Sequence, residues 1–228
     1  MNLDKRGVIY SNLNDLVPSK GAGWTNYPKG VMWAFEKRGF KMDAGLDLMI
    51  YGNIPNGSGL SSSASLEVLT GVILKDMFGF DVSMVDIALI GQYSENNFNG
   101  CNCGIMDQFA SVHGKAGHLM RLDCRSMEFE YFPFAPDQNG YKVVLLNSCV
   151  KHELVGSPYN DRRNSCERVA KVLGQEFLRG ATMEQLEAIK DQISEEDYMR
   201  ARYVIGEEKR VLDVCDALGK GDYETVGA

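Results

Sequence analysis

The sequence predicts an α+β fold. Apolar residues recur at helical spacing in several stretches and fill short extended runs in others, without regular strand-helix alternation. A glycine- and serine-rich turn, Pro55-Asn56-Gly57-Ser58-Gly59-Leu60-Ser61-Ser62-Ser63-Ala64, joins one extended run to one helical run. Beyond the turn-rich Ala135-Pro136-Asp137-Gln138-Asn139-Gly140 the pattern becomes helical, so that segment is the expected domain boundary.

The elements follow in chain order. Trp24 precedes a helix from about Tyr27 to Lys37. Leu46-Asp47-Leu48-Met49-Ile50-Tyr51 reads as a strand that Pro55 stops. After the glycine-serine turn, Leu66, Leu69, Ile73 and Met77 recur at helical spacing, and Gly79 closes that helix. Met84 to Phe98 predicts another helix, with Val85, Ala88, Leu89 and Tyr93 on one face. Gly104 opens a helix over Ile105 to Val112. Strands are expected at Leu119–Leu122, Glu128–Phe132 and Val143–Asn147. Helices are then expected over Asn160–Leu173, Met183–Ile193 and Glu195–Leu218. Thr182 with Gln185 forms a capping box, Ser194 caps the last long helix and Gly219 ends it.

Composition excludes several function classes. The chain has 228 residues, 44% hydrophobic, enough for a core. Its net charge of −7 argues against a nucleic-acid backbone as partner. No apolar run approaches the roughly 18 residues of a membrane span. The start Met1-Asn2-Leu3-Asp4-Lys5-Arg6 lacks a signal-peptide core, and the six cysteines show no secreted-disulfide pattern. A cytoplasmic setting is expected. Cys101 and Cys103 form one Cys-x-Cys without a partner pair, a weak metal signal beside the plainer reading of buried thiols. His113, His118 and His152 have no ligand spacing to one another.

The glycine-serine turn carries the first chemistry. Gly57 and Gly59 allow positive φ and close ligand approach, and a helix start bares N–H groups where an anion can sit. Any of Ser61, Ser62 and Ser63 can cap the helix, and the others can bind phosphate or a magnesium ion. A serine N-cap after a flexible turn is the plain alternative. No Lys follows the final glycine, so the Walker-A pattern fails. Asp107 stands three residues after Gly104, in a first helical turn, where the helix dipole favours a carboxylate; taken alone, an ordinary capping role is the plainer reading. Glu95 can be a solvated helix charge, and Tyr159, after Pro158, a half-buried turn aromatic.

Longer motifs carry a resemblance. The run from Pro55 to Ala64 resembles the ATP-binding signature of the GHMP small-molecule kinases. Cys103-Gly104-Ile105-Met106-Asp107-Gln108-Phe109, Leu122-Asp123-Cys124-Arg125, the stretch from Asn147 to Arg163 and Arg200-Ala201-Arg202-Tyr203-Val204-Ile205-Gly206-Glu207 narrow the resemblance to the galactokinases. It implies a GHMP kinase-like two-domain α+β fold with mixed sheets and packed helices. Residues 1–138 would form most of the ATP-binding domain, and 139–228 the start of the second.

It also implies a reaction, the ATP-dependent phosphorylation of D-galactose at its anomeric hydroxyl. Asp107 matches the catalytic Asp. Glu95, twelve residues earlier, matches a magnesium ligand, with Ser63 as a second. Residues Pro55 to Ala64 match the ATP loop, Trp24 and Tyr27 its adenine side, and Gly104 and Tyr159 the sugar side. The implied co-substrate is ATP with Mg2+. Departures set two further expectations. Nothing in the chain matches the family's opening Arg-Val-Asn-Leu-Ile-Gly-Glu-His-Thr-Asp-Tyr, and the family's third, glycine-rich motif is not reached. The chain therefore reads as the central portion of a galactokinase, incomplete at both ends, with self-association expected through unpaired edges. A non-catalytic sugar- or nucleotide-binding homologue is the alternative, and a kinase of mevalonate or homoserine a weaker third.

Overall fold

The computed structural model describes residues 9–228 except 20, 22, 56, 57 and 147–157, and describes Pro158 and Tyr159 by backbone alone. Among the described residues, those up to Gly114 form one compact unit. Lys115–Leu146 with the residues from Pro158 onward form a second.

The first unit is helical. Its elements are α1 (Asn26–Lys37), α2 (Ser62–Phe78), α3 (Met84–Ser94), a π-helical turn (Glu95–Asn99) and α4 (Met106–His113). Ser83 and Asp86 start α3 with a reciprocal capping box, and Gly79 ends α2 in the left-handed region at φ 64°. The core is Val31, Ala34, Phe35, Val68, Leu74, Val82, Ile87 and Ile90. Phe35 is fully buried among Phe40 and Phe80, and burial of one such side chain is worth roughly 1.5–3 kcal/mol. The buried side of α2 is Ala64, Glu67, Val68, Gly71 and Leu74. It is not the expected Leu66, Leu69, Ile73 and Met77, because Leu69 and Met77 are exposed. On α3 the buried residues are Ile87, Ala88, Ile90, Gly91 and Ser94, one step round from the expected face.

The second unit joins a hairpin to three helices. Strand β1 (His118–Leu122) pairs antiparallel with β2 (Phe129–Pro133), Leu119 opposite Phe132 and Arg121 opposite Glu130. Arg121 and Glu130 form an ion pair at 3.0 Å. Helices α5 (Pro158–Val172), α6 (Met183–Ala188) and α7 (Glu195–Lys220) enclose Val169, Leu178, Leu186, Tyr198, Ala201 and Ile205, and a short α8 (Tyr223–Gly227) follows. Arg168 grips Asp197 through Nε at 3.0 Å and through a second nitrogen at 2.6 Å, tying α5 to α7. That grip holds the Asp197 carboxyl down to about 2. Arg179 pairs with Asp123 in the hairpin turn, joining the loop before α6 to the sheet. Tyr223 adds a further tie: its hydroxyl oxygen accepts the Ala135 N–H at 2.7 Å, and its ring stacks on Tyr141.

The caps at Thr182 and Ser194 form as the sequence predicts. The α7 terminus does not, since Gly221, at φ 71°, ends the helix and Gly219 remains inside it. The expected Met183–Ile193 helix breaks after Ala188 into a 3-10 turn.

Two expected strands are not formed. Leu46–Tyr51 and the described part of Val143–Asn147 are extended but pair with nothing among the described residues. Most of their apolar side chains are exposed, Met49 at 71%, Tyr51 at 81%, Leu145 at 72% and Leu146 at 93%, while Leu46 packs against the first unit's core. An apolar extended run becomes a strand only where a neighbour takes its N–H and C=O groups.

One prediction tests the helix packing. A Cβ on Gly30 of α1 would collide with Ser94 Oγ and stand 3.0 Å from Phe98 Cδ1. Gly30→Ala is expected to lower unfolding stability by about 1–3 kcal/mol in a urea titration, and an unchanged midpoint would refute this close approach.

Candidate active site

The glycine-serine turn leads into α2. Ser61 holds the N-cap position in the left-handed region, at φ 59° and ψ 37°, and its side chain makes no cap bond. A non-glycine residue there is strained by about 1–3 kcal/mol, a cost common where a loop is shaped for function. Gly59 adds a second positive φ at 74°, and Ser58 Oγ donates to the Pro55 carbonyl at 2.7 Å. The turn therefore leaves the first-turn amides of α2 without a cap from Ser61, a start suited to an anion. Leu60 is exposed and Ala64 buried. Asn56 and Gly57 lie outside the described residues.

Carboxylates gather behind that helix start. Glu95 opens the π-helical turn and is only 3% exposed. The wider turn lets the Cys101 N–H reach the Glu95 carbonyl at 2.9 Å, and Gly100 ends it at φ 78°. Burial pushes the Glu95 carboxyl up to about 7; the neighbouring Ser63 and Asn99 side chains pull the other way, and the charge of Asp107 adds to the rise. Asp107 stands in the first turn of α4, half-buried, and its carbonyl accepts from Ser111 Oγ at 2.9 Å. Gly104 borders open space, with no atom within 4 Å of where a Cβ would stand.

Two further polar residues belong to this cluster, and the sequence reading missed both. Glu67 of α2 is fully buried and accepts a hydrogen bond from Gln108 Nε2 at 3.0 Å. Burial, then Glu95, then Asp107 raise its carboxyl well above the ordinary range, against the opposing Gln108 bond. A signal was present: Glu67 stands four residues after Ser63, between Ala64 and Val68, on what proves to be the buried side.

The other expected residues divide by position. Tyr27 is half-buried, and its hydroxyl is pushed up to about 12 by burial and by Glu95 and Glu67, so it borders the same carboxylates. Trp24 is 40% exposed, which rules out a core role. The Cys103 thiol is likewise pushed up to about 12 by burial and Glu95, so it is no ready nucleophile. The Tyr159 side chain lies outside the described residues, although its backbone is in α5. Among the described residues no group of three or more His, Cys, Asp and Glu could hold a metal ion. Glu95 with Ser63 nonetheless offers a carboxylate and a hydroxyl, hard oxygen donors that suit Mg2+ completed by phosphate and water.

The raised carboxyls set a pH dependence. The folded chain binds the Glu95 proton more tightly than the unfolded chain does. The resulting stability is full below the ordinary value of 4.5 and is lost as pH rises through about 7. The ligand-free chain is expected to lose stability between about pH 5 and pH 8. Glu95→Gln should shrink that loss by on the order of 1–3 kcal/mol in paired urea titrations; an equal loss in both proteins would contradict the assignment.

Comparison with known proteins agrees with this geometry. Residues 26–115 match the GHMP kinases N terminal domain. The chain is 41% identical over 232 residues to a galactokinase of Clostridium beijerinckii, covering 100% of this chain and 59% of that protein. It is 43% identical over 204 residues to a galactokinase of Thermotoga neapolitana, covering 90% of this chain and 56% of that protein. The crystal structure of Lactococcus lactis galactokinase complexed with galactose superposes with a TM-score of 0.82 at 34% identity, covering 95% of this chain and 56% of that one. The chain thus spans a little under three fifths of these relatives. Residues 26–115 thus match the GHMP kinases N terminal domain, and the chain from end to end is similar to the corresponding part of the galactokinases.

Proposed function

We propose that this chain carries the phosphate-binding and catalytic portion of a sugar kinase that transfers the γ-phosphoryl group of ATP to the anomeric hydroxyl of D-galactose. The observation that carries this reading is the convergence of Ser63, Glu95 and Asp107, from three separate segments, on one buried carboxylate cluster beside an uncapped helix start. The relatives' names and the galactose in the Lactococcus lactis structure support the choice of sugar.

Each residue then has a task. The turn from Pro55 to Ala64 would bind the phosphates, chiefly through backbone N–H groups at the start of α2, and the resemblance extends that role to Asn56 and Gly57. Ser63 and Glu95 would hold Mg2+, whose charge, when bound, offsets that of the phosphates. Asp107 accepts the proton of the galactose anomeric hydroxyl, the freed oxygen forms its bond to the γ-phosphorus, and the bond from that phosphorus to the bridging oxygen of ADP breaks. Because the transition state is loose, aiming that oxygen matters more than base strength. On this reading the Gly104 N–H, which borders open space, and Tyr159 would bind the sugar, and exposed Trp24 with Tyr27 would bind the adenine.

On this reading residues 1–138 hold most of the family's ATP-binding domain and 139–228 begin its second domain. The setting is cytoplasmic, in keeping with the unbridged Cys101, Cys103, Cys124, Cys166 and Cys215. Among the described residues no helix is long and apolar enough to cross a membrane. The net charge of −7 suits small-molecule partners rather than nucleic acid.

ADP release by the purified chain with Mg-ATP tests the reaction. Turnover should require galactose and fall about 10²–10⁴-fold in Asp107→Asn. Galactose-independent release that survives the substitution would sink the kinase reading, and no release at all would leave a nucleotide- or sugar-binding portion. The exposed extended runs at residues 46–51 and 143–146 further imply self-association by edge pairing. Sedimentation should give a weight-average mass above 25.3 kDa that rises with concentration, whereas a constant monomer mass would rule it out.

A further inference from the structure

Helix α4 has little of its own to hold it. It is eight residues long, and its N-cap residue, Ile105, supplies no side-chain cap bond. A helix of that length is marginal in isolation, and an uncapped start frays first. Yet Asp107, in that first turn, must stand still if it is to aim a substrate oxygen.

The tether is the next residue. Gln108 is 2% exposed, and its Nε2 donates to Glu67 Oε2 of α2 at 3.0 Å. The pair lies over α3 at Gly91, where a Cβ would stand 3.0 Å from Gln108 Cγ and 3.5 Å from Glu67 Cβ. Three helices therefore meet at one hydrogen bond, with a glycine as the floor that admits it. Stability alone does not account for the carboxyl. Glu67 Oε1 is buried with no hydrogen-bond partner among the described residues, a loss of about 1–3 kcal/mol that an apolar side chain would avoid.

We infer that Glu67 is a positioning residue, whose hydrogen bond from Gln108 over Gly91 ties the first turn of α4 to α2 and so sets Asp107 against Ser63 and Glu95. The inference rests on the catalytic reading of Asp107, but the tether itself is testable without turnover. Because Ser63 and Glu67 are one turn apart on α2, the tether sets the phosphate side and the proton-accepting side from one helix.

Amide hydrogen exchange on the full chain tests it. The Phe109 N–H, which bonds the Ile105 carbonyl at 2.9 Å, and the amides of Ala110 and Ser111 report the start of α4; those of Ile90–Ser94 in α3 serve as reference. Glu67→Leu and Gln108→Leu should each speed exchange at 109–111 about tenfold relative to α3. The double variant should be no worse than either single, because both remove one bond. Glu67→Gln keeps an acceptor oxygen, so protection should return. If Glu67→Leu does not fold, Gln108→Leu carries the comparison. An unchanged ratio of α4 to α3 exchange, or a loss in Glu67→Gln equal to that in Glu67→Leu, overturns the tether. In the ADP-release assay the Leu variants should lower kcat with little change in KM for Mg-ATP, and Glu67→Gln should recover most of the loss. A wild-type chain without turnover would remove the kinase reading while the exchange result still decides the tether.

Discussion

The first unit depends on the burial of carboxylates beside one another. Glu67 and Glu95 are both withdrawn from water, and Asp107 adds its charge to each. Such an arrangement resists ionisation, so protons remain on carboxyls that water would leave bare. Above about pH 7 that cluster weighs against the folded state. On the proposed reading, its use is to offer oxygen ligands to a cation beside a helix start that can take an anion. The same surroundings act on the neighbours: burial first, and then Glu95 and Glu67, push the Tyr27 hydroxyl and the Cys103 thiol upward.

Glycine makes the cluster sterically feasible. Gly71 on α2 meets Ile87 of α3 so closely that a Cβ would stand 2.8 Å from Ile87 Cγ2, and Gly91 on α3 leaves room for Glu67 and Gln108. Helices packed at that distance bring side chains from α2, α3 and α4 within reach of one another. The π-helical turn contributes in a different way. Glu95 follows buried Gly91 by four residues, so the spacing of α3 turns it inward, and the π-helical turn that starts there brings the Cys101 N–H onto the Glu95 carbonyl.

The second unit rests on ordinary packing, with the Arg168–Asp197 grip and the Arg179–Asp123 pair tying its helices and hairpin. It leaves a groove of about 260 Å³ between the hairpin and α7, lined by Leu119, Phe132, Val211, Val214, Cys215 and Leu218. The apolar runs at residues 46–51 and 143–146 show the opposite situation: sequences with the apolar character of strands, largely exposed and unpaired among the described residues.

The sequence by itself determined the local features. Helix positions, the Thr182 and Ser194 caps, the Gly79 stop and the segments bearing Ser63, Glu95 and Asp107 were legible, because each depends on a few neighbouring residues and on motifs that survive without a fold. Tertiary structure decided what depends on a partner. It chose the buried side of α2, since Glu67 and Gly71 face inward only because Gln108 and Ile87 meet them there. It withheld strand status from Leu46–Tyr51, because a strand is defined by its neighbour. It joined Glu67 to Gln108 across 41 residues, a contact that no periodicity encodes, because it exists only once three helices have packed around a glycine.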